Sequence, residues 1–368
     1  MKIGLVVGNL NNNRSGIGNY IYNLTNQLKK TENNELTIIG CPNLTLFKGI
    51  RQKSPFYPAI PFNTILWSQF LSFQKKVFSE FDVIHNPGHF PIFIRSGAKN
   101  VCTIHDITAL LSPELHQPHR AISQKMSFPV IIRHADKIIA DSHHTKKDLM
   151  RFFHTDDKKI TVIHLGASPD YKQMSNQEIN SIKTKYKLNF PFILSVGNLE
   201  PRKNIPTLLK AFSICKRKMP EIKLVIVGQK GWKYAEIFST LADLHLDNEV
   251  IFLHYIPHED LPAIYNAAEL FVYPSLYEGF GLPPLEAMQC GIPVITANTS
   301  SLPEIVGDGG IMVSPYDIHG LADMMFQLLS DDNLRKENIR YGLSRAQMFS
   351  WEKCAQQTQE VYEEVGKC

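Results

Sequence analysis

The chain has 368 residues, 43% hydrophobic and 20% charged, the make-up of a soluble globular protein long enough for two cores of ordinary size. Its net charge of +4 is uneven: residues 1–170 hold 20 Lys/Arg against 12 Asp/Glu, or +8, and residues 171–368 hold 19 against 23, or −4. A basic first half predicts attraction to anionic membrane lipid or a phosphorylated substrate, and with no nucleic-acid motif or basic repeat a nucleic-acid partner is not expected.

The chain opens with a short strand, Ile3 to Val7, and no run of eighteen apolar residues follows anywhere. It therefore reads as cytoplasmic, with neither signal peptide nor membrane span. After the strand, Asn9 to Tyr20 includes Gly16, Gly18 and Asn19 and leads into a helical pattern at Ile21, Leu24 and Leu28. Only G-x-G is present, so a dinucleotide fingerprint has weak support; the loop either turns the chain or aims its amides at a phosphate or an acceptor sugar.

Residues 48–80 interleave Lys48, Arg51, Lys53, Lys75 and Lys76 with Phe56, Tyr57, Phe62, Trp67, Phe70, Phe73 and Phe78. Such a mixture suits a surface touching an anionic membrane, or aromatics packed inward on an ordinary helix. Phe81 to His85 and Val101 to Asp106 read as strands ending in histidine, with Asp106 directly after His105 and able to fix its tautomer. Lys137 to Ala140 is a further strand, and Ser142 is suited to cap the helix after it. This alternation predicts a parallel, doubly wound sheet.

The polar segment 168–189 reads as a boundary, after which the alternation restarts. Phe192 to Gly197 is a strand, and Arg202 and Lys203 follow in the loop before a helix. Two cations there form an anion site, since Arg offers a bidentate fork and Lys a mobile point charge; solvated surface cations are the plain alternative. Leu270 to Pro274 is a buried strand, followed by Glu278, Gly279, Phe280, Gly281, Leu282 and then Glu286 about one turn into a helix. Glycines let the backbone approach a ligand and carboxylates accept from sugar hydroxyls, whereas dipole complementation alone would also place Glu286 there. Six scattered cysteines show no C-x-x-C pair, and no histidine sits at metal spacing, so reduced thiols, no metal and no cofactor are expected.

Together these features suit a nucleoside diphosphate bearing a hydroxyl-rich group; a P-loop and a full dinucleotide fingerprint are both missing. Gly197-Asn198-Leu199-Glu200-Pro201-Arg202-Lys203-Asn204 and Glu278-Gly279-Phe280-Gly281-Leu282-Pro283-Pro284-Leu285-Glu286-Ala287 resemble the signature of retaining glycosyltransferase family 4, of GT-B fold. His105-Asp106, Ala140-Asp141-Ser142 and the first glycine loop also match, so the resemblance covers nearly the whole chain. It implies an α/β architecture of two Rossmann-like doubly wound parallel-sheet domains facing across a cleft. Residues 1–170 would bind acceptor, 171–345 nucleotide sugar, and 346–368 would form a helix crossing back to the first domain.

By that resemblance Arg202 and Lys203 neutralise the donor diphosphate, Glu278 contacts the donor sugar and Glu286 the ribose. The amides of Gly279, Phe280, Gly281 and Leu282 help cradle sugar or phosphates. His105 and Asp106 lie beside the sugar, and Gly16, Gly18, Asn19 and Ser142 join the substrate-binding set. Retention without an obligatory metal is implied, and no D-x-D motif occurs at a strand end. The expected donor is GDP-mannose and the acceptor a saccharide or lipid-linked glycan of surface polysaccharide. The alternatives are a UDP-sugar transferase using N-acetylglucosamine or glucose, and a non-catalytic scaffold of a polysaccharide assembly complex.

Overall fold

Strands of three to seven residues joined through helices have a single economical arrangement, because a parallel pair needs a crossover long enough to hold a helix. A computed structural model describes residues 1–8, 16–31, 34–40, 45–53, 78–88 and 97–366 and shows this arrangement twice. Two units result, one of residues 1–113, 118–166 and 350–368, the other of residues 114–117 and 167–349.

The first unit contains β1 (Lys2–Gly8), α1 (Gly16–Leu28), β2 (Glu35–Gly40), β3 (Arg51–Lys53), β4 (Val83–Asn86) and β5 (Lys99–Ile104). After them come α2 (Thr108–Leu111), α3 (Pro118–His134), β6 (Lys137–Ala140), α4 (His143–Phe153) and β7 (Ile160–Val162). Its strands lie in the order β3-β2-β1-β4-β5-β6-β7, every pair parallel. Covered on both faces, the central strands carry near-continuous apolar runs, with Ile38, Ile39, Val83 and Ile84 at most 2% exposed.

The second unit contains α5 (Asn176–Lys185), β8 (Phe192–Val196), α6 (Ile205–Lys218), β9 (Lys223–Val227), α7 (Ala235–Asp243), β10 (Val250–Leu253) and α8 (Leu261–Ala267). It continues with β11 (Leu270–Tyr273), α9 (Leu282–Cys290), β12 (Val294–Ala297), α10 (Leu302–Val306), β13 (Ile311–Val313), α11 (Ile318–Ser330) and α12 (Asp332–Ala346). The order is β10-β9-β8-β11-β12-β13, again all parallel, and it reverses between β8 and β11. At such a reversal the chain leaves adjacent strands toward opposite sides and opens a crevice at their carboxyl ends. A core of Leu208, Phe212, Leu224, Ile226, Val272 and Met325 lies against the sheet.

The last helix, α13 (Trp351–Gly366), belongs to the first unit. Tyr362 meets His85 Nδ1 at 2.6 Å, and His85 Nε2 meets Thr103 at 2.8 Å. Burial, helped by His105, holds His85 down at about 3, so it is a neutral structural residue.

Most of the basic and aromatic stretch 48–80 lies outside the described residues, including Phe56, Tyr57, Phe62, Trp67, Phe70, Phe73, Lys75 and Lys76. Among the described residues there, Lys48 is exposed while two other cations are paired and one aromatic is buried. Arg51 bridges Glu35 at 2.9 Å and Glu80 at 3.5 Å, Lys53 pairs with Glu80 at 2.7 Å, and Phe78 is 0% exposed. Among the described residues no helix is long and apolar enough to cross a membrane. Cys102, Cys215, Cys290 and Cys354 are buried free thiols.

Candidate functional site

Because β8 and β11 are neighbours, the loops after them meet. The single turn Pro201–Lys203 ends at Asn204, whose left-handed backbone (φ 55°) suits asparagine. The Asn204 side chain donates to Pro274 O at 3.1 Å and Pro315 O at 2.7 Å, while Leu276 N donates to Arg202 O at 2.8 Å. Arg202 and Lys203 are thereby fixed against the strand end that carries Glu278.

Glu278 is the centre of this cluster. Its Oε1 accepts from Lys203 Nζ at 2.7 Å, Tyr273 OH at 2.9 Å and Ser275 Oγ at 2.6 Å, and its Oε2 from Arg202 Nη1 at 2.5 Å. Arg202 Nη1 also donates to Tyr277 O at 2.9 Å, and Lys203 donates to the Tyr273 hydroxyl. Burial pushes the Glu278 carboxyl up, but Arg202 and Lys203 outweigh it and hold the group at about 2. Burial and then repulsion from Arg202 lower Lys203. Two cations stand against two carboxylates, since Glu200, 3.8 Å from Arg202, is a weaker second counterion. Gly197 makes room: a Cβ there would press to 3.1 Å on Lys203 Cε.

The start of α9 carries few N–H groups. Pro283 and Pro284 have no N–H, and Leu285 N donates to Gly281 O at 3.4 Å. Of the first four helical residues, Leu282 is therefore the one whose N–H lies ahead of the two prolines, directly after the Gly279–Gly281 loop, where Gly281 takes φ 118°. Ser301 Oγ ties this loop down by donating to Phe280 O at 2.6 Å, with Glu278 O 2.9 Å away.

Glu286 is the fifth residue of α9 and is 7% exposed. Tyr265 OH donates to its Oε2 at 2.9 Å, and the Tyr171 ring stands edge-on to Tyr265 at 5.6 Å, its buried hydroxyl near Glu286 but outside hydrogen-bond geometry. Burial raises Glu286 to about 7 although Tyr265 opposes it, in contrast to Glu278. One carboxylate is locked as an anion and the other titrates near neutrality.

In the first unit His105 follows β5, and its Nδ1 meets Asp141 Oδ2 at 2.6 Å while Nε2 donates to Pro87 O at 2.9 Å. The carboxylate that orients it is Asp141, not the adjacent Asp106, because Ile104 and Ala140 are register partners and the residues after them fall side by side. Asp106 instead accepts from Thr108 N at 3.0 Å, closing the turn into α2. Burial lowers His105, but Asp141 and the Pro87 carbonyl reverse this and raise it. Ser142 caps α4, its Oγ accepting from Thr145 N at 3.1 Å, and is fully buried. Gly16, Gly18 and Asn19 occupy the first turn of α1, and Asn19 Oδ1 is a buried atom with no hydrogen-bond partner.

Residues 14–171 match the family described as Glycosyltransferase Family 4, and residues 176–345 match Glycosyl transferases group 1. O-antigen chain mannosyltransferase B of Escherichia coli is 37% identical over 264 residues, covering 71% of this chain and 69% of that protein. The chain belongs to the family 4 glycosyltransferases. This glycosyltransferase is also 32% identical to the serotype-specific mannosyltransferase WbdA of Escherichia coli over 259 residues, which cover 69% of this chain and 32% of WbdA. In fold it is similar to Alr3699/HepE of Anabaena, a structure in complex with UDP and glucose, with a TM-score of 0.80, 20% identity and 99% of each chain covered. The fold is GT-B.

Sequence reading of the glycosyltransferase missed Tyr273, Ser275, Tyr265, Tyr171 and Asp141. Asp141 carried a usable signal, standing at a strand end within a family motif, and Tyr273 and Ser275 lie five and three residues before Glu278; Tyr265 and Tyr171 become neighbours of Glu286 only through the fold.

Proposed function

We propose that the chain moves mannose from GDP-mannose, with retention of configuration, onto a saccharide or lipid-linked glycan acceptor of a surface polysaccharide. The donor is assigned to the second unit and the acceptor to the first. The observation carrying the donor assignment is the Arg202–Lys203 pair, held by Glu278 where the loops after β8 and β11 meet. Mannose rests on the likeness to O-antigen chain mannosyltransferase B.

In this reading the acceptor hydroxyl oxygen bonds to the anomeric carbon as the bond from that carbon to the diphosphate oxygen breaks. The electron pair leaves with the diphosphate, where Arg202 and Lys203 stabilise it, and the hydroxyl proton passes to the departing phosphate on the same face. Preorganised cations favour the transition state because they need not move as charge develops. Glu286, when ionised, accepts from ribose hydroxyls. Glu278 acts chiefly as the counterion that fixes both cations, and His105, held by Asp141, is assigned to the acceptor side.

The test is thermal stabilisation and turnover across GDP-, UDP- and dTDP-sugars with chelator present, followed by NMR assignment of the product anomer. A selective response to GDP-mannose and a retained anomer are expected. Arg202→Ala should reduce turnover by roughly 10²–10³-fold. A UDP-sugar response overturns the donor, an inverted product overturns retention, and no response to any sugar nucleotide moves the chain to a scaffold.

A further inference from the structure

We propose that Tyr171 is a positioning residue of the donor site, the second hydrogen-bond donor that holds an ionised Glu286 in place for a ribose. Resting on the assignment of Glu286 to ribose hydroxyls, this role adds the residue that aims the carboxylate. Tyr171 is 1% exposed, yet its hydroxyl has no hydrogen-bond partner among the described residues. A buried hydroxyl left unpaired is costly, and phenylalanine would fill the same space without that cost. The hydroxyl is therefore explained by a second state of the site in which it is paired.

Its surroundings name that state. The Tyr171 ring stands edge-on to those of His258, 6.1 Å away, and Tyr265, 5.6 Å away, and Tyr265 OH donates to Glu286 Oε2 at 2.9 Å. A neutral carboxyl is satisfied by one such donor, whereas a buried carboxylate has two oxygens to satisfy. The titratable groups facing Glu286 are Tyr171, Tyr265 and Cys290, with Asp170 beside Tyr171. None of these is a cation, so hydroxyls serve the anion. The segment carrying Tyr171 is anchored on the two helices that frame the carboxyl. Gln289 of α9, three residues after Glu286, donates to Ser168 O at 3.2 Å, and Asn266 of α8, next to Tyr265, donates to Lys172 O at 2.8 Å and accepts from Met174 N at 3.0 Å. Tyr171 thus presents its hydroxyl from a fixed backbone, and a small swing of the Glu286 side chain as it takes up ribose completes the pair.

The test is calorimetry of GDP and 2′,3′-dideoxy-GDP, with UDP and its dideoxy analogue in parallel, on wild type and Tyr171→Phe from about pH 6 to about pH 8.5. A melting curve of each protein without nucleotide accompanies it. Wild type should prefer the ribose nucleotide, increasingly as Glu286 ionises at about 7. Tyr171→Phe should bind that nucleotide roughly ten-fold more weakly at the alkaline end, the effect of one lost hydrogen bond to a charged group, so its affinity climbs less with pH. Its dideoxy affinity should match wild type, and its melting temperature at about pH 6 should equal or exceed wild type because the hydroxyl removed was unpaired. A variant that keeps the wild-type preference for the ribose nucleotide overturns this inference and leaves the Glu286 reading standing. A lowered melting temperature with affinity lost equally for both nucleotides makes the hydroxyl structural and also overturns it. Equal affinity of wild type for ribose and dideoxy nucleotides overturns the Glu286 reading itself, and the Tyr171 role with it.

Discussion

Replacing Glu278 with Gln isolates one charge on which the second unit depends. Burial opposes ionisation of this carboxyl, yet Arg202 and Lys203 bring it to about 2 from 4.5, a difference equivalent to about 3 kcal/mol. Since the folded value is depressed, that stabilisation is complete above the unfolded value near pH 4.5 and is lost as pH falls through about 2. Gln keeps the shape but leaves Arg202 and Lys203, with side chains 15% and 12% exposed, facing each other with only Glu200, 3.8 Å from Arg202, as counterion. Removing one partner of a buried pair costs about 3–5 kcal/mol, which in a unit of this size lowers the melting temperature by roughly 6–20 °C. The assay is thermal unfolding of wild type and variant from about pH 3 to about pH 8, with and without inorganic pyrophosphate. The variant should melt lower at neutral pH, show a shallower acid limb, and gain more from pyrophosphate, whose charge replaces the one removed. A variant melting within about 2 °C of wild type, with an equally steep acid limb and no added response to pyrophosphate, would refute the counterion role.

Glu286 carries the opposite sign. Burial raises its carboxyl from 4.5 to about 7, so its stabilising effect is present below the unfolded value and lost as pH rises through the folded one. Glu286→Gln should therefore gain up to about 3 kcal/mol near pH 8 in urea unfolding. Donor affinity by calorimetry should rise across the same window in wild type and stay flat in the variant. His105→Ala leaves Asp141 buried without its partner and should cost about 3–5 kcal/mol below the raised histidine value; the loss should shrink as pH rises through that value, because stability from a raised histidine is present in acid and lost in base. Gly228→Ala would set a Cβ 2.0 Å from the Gly197 carbonyl oxygen, a backbone atom with no rotamer to yield. It should cost more than about 4 kcal/mol and show as lost soluble yield.

Local chemistry determined much of this protein. Alternating apolar runs and helical periodicities dictated parallel sheets, because short crossovers allow little else, and loop residues at strand ends marked Arg202, Lys203, Glu278 and Glu286 as one group. The Ser142 cap was legible for the same reason, since capping involves residues three apart. The role of each charge was decided elsewhere. Glu278 became a counterion because β8 and β11 lie side by side although β9 and β10 intervene in the chain. Asp141 displaced Asp106 beside His105 because β5 pairs in register with β6. Glu286 was raised to about 7 because the fold buries it, although Tyr265, brought beside it from α8, opposes the rise. Ion pairing and desolvation act over a few ångströms, and distances of that order between residues far apart in the chain are set by strand order and register, which no local pattern encodes.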